Sequence, residues 1–163
     1  MNKNWLVVRI WNELTLLKYR IFFRDWNNIS VNPNLSEDFI REFQDRVNWE
    51  YISIKQKLSE DFVREFQDKV NWSNISYHQT LSEAFMIEFQ DRVDWFGISA
   101  YQKISEDLII EFQDRVNWLL ISRKQKLSSK FILEFIDKLS LNYILMYQDL
   151  DQETKEYLLL LKG

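Results

Sequence analysis

Residues 35–57 read LSEDFIREFQDRVNWEYISIKQK and residues 58–80 read LSEDFVREFQDKVNWSNISYHQT, identical at 16 of 23 positions. The same pattern restarts at Leu81, Ile104 and Leu127, which makes five units. Trp26, Trp49, Trp72, Trp95 and Trp118 keep the 23-residue step throughout. A fixed period of this length marks a stack of like supersecondary units, each too small to bury its own apolar face.

Each unit carries two helix-start signals. The first is Ser36, Ser59, Ser82, Ser105 and Ser128; a serine hydroxyl accepts from the free amides of a first turn. Acidic residues follow in most units, Glu37 and Asp38 in the first, where the helix dipole favours them. Leu35, just before the cap, is placed to staple against Phe39 or Ile40. The second signal is Asn48, Asn71, Asp94, Asn117 and Ser140, which vary in type but share the ability to cap. The spacing therefore predicts a first helix near residues 37–46 and a shorter second one near 49–56 in every unit. Phe39, Phe43 and Val47 fall on one helical face, and Trp49 and Ile52 on another. Neither helix is long enough to stand alone, so stacking has to bury this stripe.

The ends read as caps. Residues 1–34 form an N-terminal helical cap with a partial repeat: 25–30 (DWNNIS) match a second helix, and 5–24 read as a longer, divergent helix. Residues 150–163 form a C-terminal half repeat, with Leu150-Asp151 in step with Leu127-Ser128 and Leu158 in step with Phe135, although Thr154 stands where Phe is expected. The expected fold is all-α, an α-solenoid of five two-helix repeats over 35–149 between divergent helical caps, in one continuous domain.

Composition narrows the function. Only 2 Gly and 1 Pro in 163 residues argue against a turn-rich β fold. With no Cys there is no disulfide frame and no thiolate chemistry. No stretch reaches the ~20 apolar residues of a membrane span, and the expectation is a cytoplasmic protein. The formal charge is -4, yet Lys3, Arg9, Lys18, Arg20 and Arg24 make the first 25 residues basic. A mildly acidic body argues against general nucleic-acid binding, which draws on phosphate neutralisation. Binding through the basic cap (Arg9, Lys18, Arg20, Arg24) is kept as a lesser alternative.

The consensus W-x-x-I-S-x-x-Q-x-L-S-E-x-F-I, covering residues 26–149, resembles short Trp- and Phe-rich helical repeats of uncharacterised proteins from bacteriophages, prophage-bearing bacteria and large DNA viruses. The resemblance implies the fold and a mobile-element origin. It carries no catalytic residue onto this chain.

The recurring chemistry favours structure over catalysis. Glu42 with Asp45, Glu65 with Asp68, Glu88 with Asp91, Glu111 with Asp114 and Glu134 with Asp137 could serve acid–base work or hold a cation. Each Glu, however, precedes a cation by four residues (Arg46, Lys69, Arg92, Arg115, Lys138), which suits helix ion pairs. Periodic Trp is read as core rather than as a stacking ladder for bases. The row Gln56, Gln79, Gln102, Gln125 and Gln148 is read as satisfying backbone groups between units rather than presenting amides to a ligand. His78 is the single His, so no metal site, Ser-His-Asp set or cofactor is expected.

The columns that vary are the candidate recognition surface. From Arg41 the column runs through Arg64 to Ile87, Ile110 and Leu133. From Glu50 it runs through Ser73 to Phe96 and Leu119, and from Tyr51 through Asn74 and Gly97 to Leu120. A further pair of columns brings Tyr77, Arg123 and Met146 beside His78, Tyr101, Lys124 and Tyr147. Tyr, Met and Arg are residue types favoured at protein interfaces. The expectation is a non-enzymatic scaffold that binds a protein partner through Ile87, Phe96, Tyr101, Ile110, Leu119, Leu120, Arg123 and Lys124. The alternative is a homodimer through the apolar column. The competing reading of that column is that curvature or the terminal Tyr157–Leu161 run covers it.

Overall fold

The computed structural model describes residues 25–162, in which there are twelve helices and no strand. The helix expected over 5–24, with Arg9, Lys18, Arg20 and Arg24, lies outside the described residues. After α1 (Trp26–Ser30) come five pairs: α2 (Glu37–Glu42) with α3 (Trp49–Lys55), α4 (Glu60–Glu65) with α5 (Trp72–His78), and α6 (Glu83–Glu88) with α7 (Trp95–Tyr101). The last two are α8 (Glu106–Glu111) with α9 (Trp118–Lys124) and α10 (Ser129–Glu134) with α11 (Leu141–Tyr147). A single helix, α12 (Gln152–Lys162), follows them. The fold is thus all-α, with helix pairs repeating every 23 residues and neighbouring repeats packed in solenoid fashion. By its contacts the chain divides into two compact units, residues 1–74 and 75–163, with the division inside α5. In the first unit α1 packs on α3; in the second α7, α9 and α11 stack in turn and α12 packs on α11.

The caps form as the sequence signals. Ser36, Ser59, Ser82, Ser105 and Ser128 each accept from the backbone N–H three residues on, at 3.1–3.2 Å. Asn48 and Asp94 each accept from two amides of the following first turn, and Asn117 from that of Leu120. Ser140 stands at the N-cap of α11 but makes no side-chain cap bond. Instead its backbone N–H donates to Ser122 Oγ at 2.9 Å.

The first helix is shorter than expected. It stops at Glu42, and residues 43–47 form turns closed by Arg46 and Val47 amides donating to the Phe43 carbonyl. The indole of Trp49 explains why the helix does not run on: its Nε1 donates to the Gln44 carbonyl at 2.9 Å and takes that acceptor out of a helical ladder. Trp72, Trp95 and Trp118 repeat the bond with Gln67, Gln90 and Gln113. This ending also overturns the expected Glu-to-cation pairing within the helix, since Arg46 and its equivalents lie beyond the helix end. The cations reach back one repeat instead. Lys69 Nζ meets Asp45 at 2.9 Å, and Arg115 meets Asp91 at 2.8 Å. Such exposed pairs contribute little, about 0–1 kcal/mol each.

Three side-chain ladders hold repeat to repeat. In the apolar ladder the Trp of one repeat lies on the Phe of the next: Trp49 on Phe66 at 4.9 Å, Trp95 on Phe112 at 4.5 Å and Trp118 on Phe135 at 5.5 Å between centroids. Phe39, Phe62 and Phe85 are fully buried, as are Ile40, Met86, Ile109 and Ile132, a column that the expected stripe did not include. Phe43 and Trp49, which it did include, are half-buried. The second ladder is serine. Ser30, Ser53, Ser99 and Ser122 donate to the carbonyl four residues back at 2.7 Å. Each also accepts, from the backbone N–H 18 residues on, a bond of 2.8–3.0 Å. The third is glutamine. Gln102 Nε2 donates to the carbonyls of Ser76 and Gln79 at 2.9 and 2.7 Å, while its Oε1 accepts from Leu81 N at 3.1 Å. Gln125 and Gln148 repeat the set, and the Gln125 amide reaches the Gln102 carbonyl itself. Gln102, Gln125 and Gln148 thus each serve three backbone groups, as the sequence reading expected. Gln56 donates to the carbonyls of Ser30 and Asn32 and accepts from Leu35 N–H, with Pro33 at the glutamine position of the partial first repeat.

At the C-terminal end Asp151 caps α12. Its carboxylate accepts from the Thr154 N–H and hydroxyl at 2.8 and 2.7 Å and from the Ser129 hydroxyl. These donors, Ser129 foremost, hold its pKa at about 2, below the usual 3.8. A depressed folded-state value stabilises fully above the unfolded pKa and loses that effect as pH falls through the folded one. Stability should therefore drop between pH 4 and 2, and Asp151→Asn, which still caps, should flatten that part of an acid titration followed by helical circular dichroism. An unchanged slope would show that the Ser129 bond does not form in solution.

Candidate interaction surface on the second helices

On the second helices the Ile98 and Ser99 columns, which hardly vary, face inward, and the columns of Phe96 and Tyr101, which vary, face out. On the first helices, Phe85 and Met86 are buried while Ile87 beside them is 38% exposed; Ile110 at 38% and Leu133 at 42% repeat this. On the second helices, Ile98 and Ser99 are buried while Phe96 is 51%, Tyr101 62% and Leu119 54% exposed. Arg123 and Lys124 are exposed as well, and Leu120 is half-buried. The terminal helix α12 does not cover these residues. It buries Leu158 and Thr154 and leaves Tyr157, Leu159, Leu160 and Leu161 exposed.

The structure sorts the expected site into two sets. Ile87 and Ile110 belong to first helices α6 and α8. The other six belong to second helices α7 and α9, which stack on one another and are joined by ring contacts to their neighbours. Tyr77 lies 6.4 Å from Phe96 and 5.1 Å from Tyr101 between ring centroids. The Arg123 guanidinium lies 5.8 Å from the centroids of both Tyr143 and Tyr147, which are themselves 5.9 Å apart. Tyr143, Tyr147 and Met146, 67% exposed, extend the surface onto α11. His78, beside Tyr77, is exposed.

Part of the variation has a packing cause. A Cβ on Gly97 would come within 2.6 and 2.7 Å of the Tyr77 ring and 3.2 Å of Ser76 Cβ. The same pair of positions one repeat on holds Ala100 and Leu120, small and large exchanged, and one further on holds Arg123 and Tyr143. Large and small thus trade places between the first two pairs, while in the third both residues are large and the Arg123 guanidinium lies over the Tyr143 ring. Gly97 is the space into which Tyr77 folds, and packing against the protein pushes the Tyr77 hydroxyl above its ordinary pKa, with Asp94 and Tyr101 adding to the shift. Gly97→Ala should therefore cost about 1–2 kcal/mol, although Ala is favoured over Gly in a helix by about 1 kcal/mol. In a Tyr77→Ala background the same change should stabilise. Urea unfolding of the four proteins gives the coupling, and additive effects would mean the Tyr77 ring does not occupy that space.

A groove of about 560 Å³ in the second unit is lined by Leu133, Asp151, Glu153, Thr154 and Tyr157. Its Asp151 is already bonded to Ser129 and Thr154, so Glu153 is the carboxylate left to face a ligand there. Among the described residues no group of three or more His, Asp or Glu comes together. No described helix is long and apolar enough to cross a membrane.

No protein-family model, curated protein or solved structure matches this chain. Its reading therefore rests on its own geometry. The repeat glutamates Glu42, Glu65, Glu88, Glu111 and Glu134 are exposed at helix ends. The repeat Trp residues point their polar edge at backbone carbonyls and their rings at Phe. Sequence reasoning missed the inter-repeat work of the first-turn acids. Glu83 Oε2 accepts from the Ser105 hydroxyl and Glu106 Oε2 from that of Ser128, both at 3.1 Å.

Proposed function

We propose that the protein is a non-enzymatic repeat scaffold that binds a protein partner through the second-helix face of residues 75–147. One observation carries this reading: on the second helices the buried Ile98 and Ser99 columns keep their type in nearly every repeat, whereas the outward columns of the same helices change from repeat to repeat and hold exposed Phe96, Tyr101, Leu119 and Met146. Natural surfaces keep such side chains where a partner covers them. The likeness of the repeat motif to Trp- and Phe-rich repeats of phages and large DNA viruses fits an inhibitor or adaptor acting on a host protein in the cytoplasm. Phe96→Ala with Leu119→Ala should abolish retention of that partner while moving the melting temperature by under ~2 °C, because neither residue is in the core. Retention that survives both changes would place the binding surface elsewhere.

A second reading, self-association, draws on the same exposed Leu119 and on Leu160, 81% exposed on α12. It predicts a concentration-dependent mass above 20.1 kDa in light scattering. A charge at Leu119 or Leu120 should return that mass to the monomer value. A strict monomer removes this reading.

A further inference from the structure

Charge in residues 75–162 is segregated by layer. The stretches that carry the second helices, 75–80, 95–103, 118–126 and 141–149, contain Lys103, Arg123, Lys124 and Lys126 against a single acid, Asp149 in the last of them. Every carboxylate of this unit lies in the first helices, the turns or α12. Two acids border the face: Asp149, exposed just past Gln148, and Asp94 at the N-cap of α7, whose Oδ1 is occupied by the amides of Phe96 and Gly97 at 3.0 and 3.4 Å. A protein of net charge -4 thus presents one face that is apolar, aromatic and cationic. We propose that the occupant of this face is an acidic peptide segment that also carries large apolar side chains. The proposal rests on the protein-binding reading above and names the chemistry of the partner.

The details of the face favour that class over its rivals. Leu119 and Met146 are among its most exposed side chains and have no ring to stack on a base, so they suit apolar side chains. Tyr77, Phe96 and Tyr101 lean on one another at centroid distances of 5.1–6.4 Å and form a packed apolar platform. Arg123, held over Tyr143 and Tyr147, keeps the donor edge of its guanidinium plane for a carboxylate. The cations lie at the C-terminal ends of α7 and α9, so the anions of the occupant would fall along one border and its apolar residues across the middle.

The test uses the full chain and two defined 16-residue peptides, one alternating Glu-rich and Leu/Phe positions and one with each Glu replaced by Gln. Fluorescence anisotropy should show the acidic peptide binding about tenfold or more tighter, with the advantage shrinking as salt rises. Arg123→Glu with Lys124→Glu should remove the advantage. Phe96→Ala with Leu119→Ala should weaken both peptides. Equal affinity for the two peptides overturns the charge assignment, as does binding of neither, or tighter binding of a 16-mer of thymidylate. A selection from a random displayed-peptide library separates this failure from failure of the wider reading. Selected peptides free of acidic residues but lost on Phe96→Ala sink the acidic occupant alone. Peptides indifferent to every second-helix substitution sink both.

Discussion

Gln102→Ala should lower stability by about 3–5 kcal/mol, a fall of roughly 10 °C in melting temperature. The side chain is 7% exposed and closes three bonds, to the carbonyls of Ser76 and Gln79 and from the amide of Leu81. Truncation leaves all three backbone groups in a site that water does not reach, and each costs about 1–3 kcal/mol unpaired, less whatever the cavity admits. Gln102→Glu should be at least as harmful: it keeps the acceptor, loses both donors and sets a charge against two carbonyl oxygens. Gln44 is the control. It is half-buried, and its Oε1 accepts from Lys69 at 2.8 Å on the surface, so Gln44→Ala should cost under ~0.5 kcal/mol. Thermal and urea unfolding by circular dichroism measure all three. A cost below 1 kcal/mol for Gln102→Ala would return the glutamine row to the status of a ligand-facing ladder.

Phe85→Ala should cost about 3–5 kcal/mol and Phe85→Leu about 1 kcal/mol. Phe85 is fully buried, its ring 4.7 Å from that of Phe89, and its amide is held by the Ser82 cap. Because a repeat packs only on its neighbours, loss of amide-exchange protection should concentrate between Ser82 and Tyr101 rather than spread over the unit. Phe96→Ala is the matching control, since Phe96 is 51% exposed and should change stability by under ~0.5 kcal/mol. Equal costs at Phe85 and Phe96 would mean that the outward columns are part of the core, and the proposed binding face would fall with that result.

The period, the two caps per repeat and the glutamine row were all legible in the sequence, because each leaves a mark at a fixed offset of 23. Helix length was not. Residues 43–46 mix good helix formers, Gln44 and Arg46, with poorer ones, Phe43 and Asp45, and they turn where the Trp49 indole bonds the Gln44 carbonyl five residues back, a side-chain contact outside the helical i, i+4 pattern. The same early ending undid the expected pairing of Glu42 with Arg46, which presumes that both sit on one helix. The serine ladder was visible as a conserved letter within the repeat, but its bond runs from one repeat to the next amide 18 residues on, a partner that no helical period points to. Outward columns could be picked out by their variation. Variation alone could not tell recognition from fit, and Gly97 shows why. It differs from its equivalents because Tyr77 fills its place.

Among the described residues the three ladders join residues 17–26 positions apart, whichever repeat they start from. A repeat therefore recognises its neighbour and nothing farther along the chain. Genetic recombination between near-identical 23-residue stretches could delete or insert a whole repeat, and every glutamine, serine and tryptophan would find an equivalent partner across the junction. The length of the outward face, and with it the number of side chains that a partner meets, can thus change in whole steps without redesign of the scaffold.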